Sequence, residues 1–389
     1  MRLATIIIDN YNYARFLKDS IESALAQTYR NVEVIVVDDG STDNSRDILQ
    51  DYEGRVTAIL KENGGQGSAF NRGFAASHGD VILFLDSDDI LLPQAMEKAM
   101  PFFDDASVVK VHWPLLLADK DGNTSGKLFP GPTLPDGNFC DTVFSLGPTH
   151  LLSAPGCGNA WSRWYLSRVM PLDEDVFANG CDTYLFELAP AYGVIRALEE
   201  PETLYRQHGF GDHTKLQARD RLRRELKFFE MYRATLQQHY NQQGRIVNLE
   251  TWYRNSWWHK LDEAARELGE FSDRDALFLL VDEGSTELGA LSGRRTVPFL
   301  GKGGEYNGAP SDSASAIAEL SDILLERRPV FLVFAWCSFW WLEHYAAFTL
   351  YLRKRFQCII ENERLIVFDL RTADGKLSPL AVNKNLDKL

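Results

Sequence analysis

An α/β fold, with a mostly parallel sheet and helices on both faces, is predicted for residues 1–214 by three observations. Short apolar runs alternate with segments of helical spacing, the runs are rich in β-branched residues, and each run ends in a polar or glycine-bearing cluster. Leu3 to Ile8 reads as a buried strand, followed by a helix with Leu17, Ile21, Ala24 and Leu25 on one face. Val32 to Val37 is the second strand, Asp43 to Tyr52 a helix, and Val56 to Leu60 the third strand. Ser68 to Ser77 is the next helix and Val81 to Leu85 the fourth strand, after which Pro93 is placed to open a helix at its first position. Such sheets bind ligands beyond the carboxyl ends of their strands. Four strand ends, at Asp9–Asn12, Asp38–Ser41, Glu62–Gly67 and Asp86–Asp89, therefore converge on one acidic crevice.

Further along, Val108 to Ala118 reads as a strand turning at Asp121-Gly122. Residues 130–160, rich in Gly and Pro, read as loop. Leu222, Leu226, Phe229 and Leu236 put a helix over Leu216 to Tyr240, and Glu250 to Leu268 a second. The expected organisation is a domain over 1–214, in two halves at 1–105 and 106–214. A helical segment at 215–283, a linker at 284–315 and a small α/β unit at 316–389 follow. No internal repeat is evident.

Composition limits the function. At 389 residues the chain exceeds the size of a single core. The formal charge of −14 argues against a nucleic-acid surface and requires local devices for any phosphate-bearing ligand. Five scattered cysteines without a CxxC pair indicate neither a disulfide framework nor a zinc site, consistent with a reducing cytoplasm. The apolar start is too short for a signal peptide. Val330 to Leu342, thirteen residues long, falls short of a bilayer span and reads as a strand entering a helix. Its tryptophans, Trp336, Trp340 and Trp341, leave peripheral contact with the inner face of a membrane open.

The run ILFLDSDDILLP, Ile82 to Pro93, places three aspartates within four positions. Crowded carboxylates raise one another's pKa unless a cation or hydrogen-bond donors compensate. Hard Mg²⁺ or Mn²⁺ suits such oxygen ligands and takes the rest of its shell from water and phosphates. The competing reading makes Asp88 or Asp89 a helix cap.

The segment TIIIDNYNYARFLKDSIESALAQTYRNVEVIVVDDGSTDNS, with ILFLDSDDILLP, resembles glycosyltransferase family 2, whose members have the GT-A fold. The run Val36 to Asp43 is the most specific part. The resemblance implies a metal-dependent, inverting transferase that uses a nucleotide sugar, UDP-linked first among the candidates, and a saccharide or lipid-linked acceptor in bacterial polysaccharide or glycoconjugate synthesis. It implies that Tyr11 lines the base pocket, Asp39 accepts the uracil N–H, Asp86 contacts ribose or sugar, and Asp88 ligates Mn²⁺ or Mg²⁺. Asp38, Gly65, Asn71 and Ser87 fall in the implied donor-binding set, and Asp38 reads equally well as a structural carboxylate. Two departures stand out: Asp9 replaces the usual proline, and Phe70 occupies a position often held by arginine, so that a basic contact to the nucleotide is either missing or supplied by Arg72.

PLDEDVFANGCDTYLFELAPAYGVIRALEEPETLYRQH resembles the family's acceptor-side segment, with Cys181 in place of a glutamate. A sugar hydroxyl is a weak nucleophile until deprotonated, so a base is needed there, and Asp182 is the candidate. His208 is the candidate second metal ligand, with His213 less supported, and Trp161 is available to stack on a sugar. Two other readings compete: a non-catalytic nucleotide-sugar or glycan-binding module, and a sugar-1-phosphate nucleotidyltransferase. The latter would need a glycine- and arginine-rich loop where this chain has Asp9 to Phe16.

Overall fold

Strand β1 (Ala4–Asn10) is buried along almost its whole length because it is central: β2 (Val32–Asp39) pairs with it in parallel on one side and β4 (Val81–Asp86) on the other. The structure, a computed structural model, describes residues 1–208, 216–302 and 305–371. His213 lies outside these described residues. Two compact units are formed, one from residues 1–216 and 224–256, the other from residues 217–223 and the described residues from 257 onward.

The first unit is built on an eight-stranded sheet. Beyond β2 lies β3 (Thr57–Lys61), and beyond β4 come Asn159–Ser162, Val108–His112, Val194–Ala197 and Gly137–Asn138. The first four strands are parallel, and Asn159–Ser162 runs antiparallel to both its neighbours. A parallel half is thus continued by a mixed half. Alternation along β1 feeds two cores: Ile6 and Ile8 pack with α1 (Ala14–Leu25), whereas Ile7 packs with α3 (Gln66–Ala76) and the helix Cys181–Tyr192. A second, four-stranded sheet joins Ile90–Leu91, Thr203–Gln207, Leu115–Asp119 and Thr124–Phe129.

Several expectations need adjustment. The run Val108 to Ala118 is two strands in different sheets, divided at Trp113-Pro114, because proline has no N–H to continue a ladder. The hairpin follows as expected, Leu115–Asp119 pairing with Thr124–Phe129. Pro93 does not open a helix. Ile90–Leu91 pairs with Thr203–Leu204, and the helix begins at Ala95 with Gln94 as its cap residue. One helix spans Ala218–Gln242, while the second expected helix is broken at Ser256, whose ψ of 125° is extended, into Leu249–Asn255 and Trp257–Gly269.

In the second unit the parallel strands Arg295–Pro298, Leu277–Val281 and Phe331–Ala335 are extended by the antiparallel pair Leu365–Asp369 and Gln357–Glu361. The segment 284–315 is therefore no linker. It carries the helix Leu288–Ser292 and an edge strand of this sheet, which its Gly and Ser content concealed. Val330 to Leu342 is a strand entering a helix, as its sequence suggests. Among the described residues no helix is long and apolar enough to cross a membrane.

Candidate functional site

The carboxyl ends of β1, β2 and β4 open into a cavity of about 530 Å³, whose far wall is supplied by residues 155–156 and 178–182. Tyr11, Asp39, Gly65, Asp86, Ser87, Asp88 and Asp182 all line it. Tyr11 is exposed, whereas Asp39 and Ser87 are buried at its floor.

Each group is held by a local device. Asp39 accepts hydrogen bonds from the backbone N–H of Gly64 at 3.0 Å and of Gly65 at 2.7 Å, and pairs with Lys61. Gly65 needs its positive φ of 85°, and a Cβ there would stand 2.6 Å from the Ala178 carbonyl oxygen. The loop after β3 is thus pinned to the end of β2. Gln66 reaches across the cavity. Its Nε2 donates to Asp86 Oδ1 at 3.0 Å, and its Oε1 accepts from the Gly180 N–H at 3.2 Å. Asp182 sits in the first turn of Cys181–Tyr192 and accepts the Gly156 N–H at 2.8 Å.

Asp88 and Asp89 do not cap a helix. Asp88 Oδ2 lies 2.7 Å from His208 Nε2. Asp89, fully buried beneath, accepts the Arg206 N–H at 2.9 Å and the Cys157 thiol at 2.8 Å. Burial, and then the charge of Asp88, pushes the Asp9 carboxyl up to about 7. Burial followed by the charges of Asp9, Asp89 and Asp88 raises Asp86 well above the usual carboxylate range. Asp89 is raised by burial and by Asp88. Asp9 Oδ1 is buried without a hydrogen-bond partner. A cluster with this much uncompensated negative charge fits a divalent cation, which would relieve the mutual repulsion. Of the expected pair, Asp88 lines the cavity and His208 stands behind it against the same carboxylate. Asp86, Asp89 and Cys157 also lie close enough together to share an ion, but Asp89 and the thiol already satisfy each other beneath the floor.

Three expected residues lie elsewhere. Asn71 is no donor ligand: its amide accepts the Leu172 N–H at 2.7 Å and donates to the Leu172 carbonyl at 2.9 Å, clamping the chain that leads to Asp182. Asp38 is fully buried outside the cavity and accepts from Asn10, Ser41 and Arg46, so its structural reading holds. Trp161 is a core residue, packed on Tyr165 with a ring separation of 5.8 Å. Phe70 stacks on Phe84 inside the core, and Arg72 does not line the cavity. Lys61 pairs with Asp39 at the end of β2. The roles of Gln66, Gly156, Asp89 and Cys157 come from contacts made across long stretches of chain.

The sequence pattern of "Glycosyl transferase family 2" matches residues 5–143. An uncharacterised glycosyltransferase of Nostoc sp. (strain PCC 7120) is 36% identical over 217 residues, 54% of this chain and 66% of that relative. An uncharacterised glycosyltransferase of Rickettsia conorii is 38% identical over 137 residues, 34% of this chain and 23% of its own length. The glycosyltransferase GlyG of Streptococcus pneumoniae serotype 4 is 39% identical over 99 residues, 24% of this chain and 33% of its own. The chain thus spans just under two thirds of the Nostoc relative and a third or less of the other two. Among solved structures, residues 1–349 of S. aureus TarS in complex with UDP-GlcNAc are similar at 15% identity and a TM-score of 0.45, over 69% of this chain and 80% of that one.

Proposed function

This chain belongs to glycosyltransferase family 2, and from that premise we propose that its first unit transfers a sugar from a nucleotide diphosphate, UDP first, to an acceptor hydroxyl with inversion. The observation that carries the reading is the convergence of Asp86, Asp88 and Asp182 on one cavity from opposite walls.

The bound Mn²⁺ or Mg²⁺ would neutralise the charge that develops on the departing diphosphate. Asp88 and His208 would hold that ion. Tyr11 borders the base, and Asp39, held by Lys61 and by the Gly64 and Gly65 N–H groups at the cavity floor, accepts the uracil N–H. Asp86, Ser87 and Gly65 shape the ribose and sugar end. Asp182, oriented by the Gly156 N–H, takes the proton of the acceptor hydroxyl as its oxygen bonds to the anomeric carbon and the carbon–phosphate oxygen bond breaks. Configuration inverts, and nucleoside diphosphate and product leave. Cys181 is buried in the core and its thiol is raised by burial, so Asp182 carries the base role alone. The acceptor is a saccharide or lipid-linked glycan, and a cytoplasmic site with peripheral membrane contact suits such an acceptor.

Thermal stabilisation across a panel of nucleotide sugars with Mn²⁺ tests the reading, since a ligand of the native state raises the melting temperature. One donor should stabilise the protein only with metal, and Asp88→Ala should abolish the effect. Nucleoside diphosphate should be released only when acceptor is added. Equal stabilisation of the Asp88→Ala protein would remove the metal role, and binding without release in any acceptor mixture would leave a binding module.

A further inference from the structure

The loop of unit one that ends β2, Val37-Asp38-Asp39-Gly40-Ser41-Thr42-Asp43, has an echo in unit two: Val281-Asp282-Glu283-Gly284-Ser285-Thr286-Glu287. Five of the seven positions are identical and the other two exchange Asp for Glu. The placement is shared as well. Each loop follows a strand flanked on both sides by parallel neighbours, β1 and β3 in the first case, Arg295–Pro298 and Phe331–Ala335 in the second. Both glycines take positive φ, 81° at Gly40 and 68° at Gly284. In each, the first aspartate folds back onto its own loop: Asp38 accepts the Ser41 N–H at 3.1 Å, and Asp282 the Gly284 N–H at 3.0 Å.

The connections that leave the two neighbouring strands also diverge at the second loop. From Val281 the chain runs to the helix Leu288–Ser292, which packs on Trp257–Gly269. From the neighbouring strand Phe331–Ala335 it runs to Trp340–His344, which packs with Ser313–Glu326 and Ala346–Arg355 on the opposite face. Adjacent parallel strands whose connections diverge in this way leave a ligand crevice at their carboxyl ends.

The side chains at that strand end differ from those of unit one. Glu283, at a strained φ of 56°, accepts the indole N–H of Trp340 at 2.7 Å and of Trp341 at 2.9 Å with one oxygen. Trp341 is fully buried, while Trp340 is 43% exposed. An exposed indole is thereby locked in orientation, with its polar N–H already used and ring surface left for contact. Tyr306 stands beside this carboxylate, its hydroxyl pushed up to about 12 by burial and by the charge of Glu283.

We propose that unit two binds a neutral saccharide chain at this strand end, with Trp340 as the stacking platform and Glu283 as the residue that positions it. A fixed aromatic face suits the C–H surface of a sugar ring and costs little further ordering on binding. The carboxylates Asp282, Glu283 and Glu343 disfavour a diphosphate and suit a hydroxyl-rich, uncharged ligand. The site goes beyond the donor reading of unit one and stands without it.

The test is calorimetric titration of the full chain with cellopentaose, maltopentaose and chitopentaose in turn. At least one should bind in the millimolar range or tighter, and Trp340→Ala should weaken it by roughly ten-fold or more with UDP–Mn²⁺ binding unchanged. Asp88→Ala should leave the oligosaccharide affinity intact, which separates this inference from donor binding. A second readout needs no variant: bound oligosaccharide should protect the peptide carrying Trp340 from oxidation by N-bromosuccinimide. Failure of all three oligosaccharides to bind, undiminished binding by Trp340→Ala, or unprotected Trp340 under saturation would each overturn the proposal.

Discussion

The Gly156 N–H donates to Asp182 Oδ2 at 2.8 Å, and the same residue is so close to Asp86 that a Cβ would stand 2.9 Å from its Oδ2. One backbone position therefore spaces the proposed base from the donor-side carboxylate. Gly156→Ala should push the two apart and lower kcat by about 100-fold, the scale of a 1 Å misplacement, with a melting temperature within a few degrees of the parent. Steady-state kinetics beside a thermal melt checks this, and a near-normal kcat would show the spacing to be unimportant.

Asp182→Asn keeps an oxygen to accept the Gly156 N–H but cannot take a proton. Donor stabilisation by Mn²⁺ should persist while transfer falls by about 10²–10⁴-fold, the range for losing a general base. Retained turnover would move the base to another residue.

Asp38 and Asp39 are neighbours with different fates. Asp38→Ala removes the acceptor for Asn10, Ser41 and Arg46 in a fully buried setting, so it should cost about 3 kcal/mol of stability in denaturant melts, independent of nucleotide. Asp39→Asn should chiefly weaken UDP binding. If both variants lose stability equally, the division of labour at the end of β2 is mistaken.

A pH effect is expected at Glu187, whose carboxyl burial raises to about 7 against the pull of the Thr149 N–H and of Lys110. A carboxyl with a raised folded pKa contributes stability that is complete below its unfolded value, near 4.5, and is lost as pH rises through about 7. Lys110, which burial lowers to about 7, works in the opposite direction, its term being complete above 10.5 and lost as pH falls through about 7. Glu187→Gln isolates the first term: its melting temperature should gain on the parent between pH 4.5 and 7 and hold that gain above. Parallel curves would argue against the assignment.

The parallel half was legible because its inner strands β1, β2 and β4 are buried on both faces and read as apolar runs, from Ile6–Ile8 to Val81–Leu85. Their ends had to carry the polar groups, so Asp39, Asp86 and Asp88 could be placed from the sequence. Asn71 could not, because its bond to Leu172 joins residues 101 apart. Cys157 was hidden for the same reason, its partner Asp89 lying 68 residues away. The edge strand Arg295–Pro298 was obscured by short length and by surrounding Gly and Ser, where local composition outweighed a pairing visible only in three dimensions. Asp38 stood as an even choice between ligand and scaffold, and only its three donors decide it.

Gln66 joins Asp86 to the turn at Gly180 through a single carboxamide. Anyone grafting a new acceptor segment onto this scaffold would have to transplant a hydrogen-bonding partner for that side chain along with it. A chimera that broke the link would unlatch the nucleotide half from the incoming graft, and would be expected to squander donor by hydrolysis before changing its product.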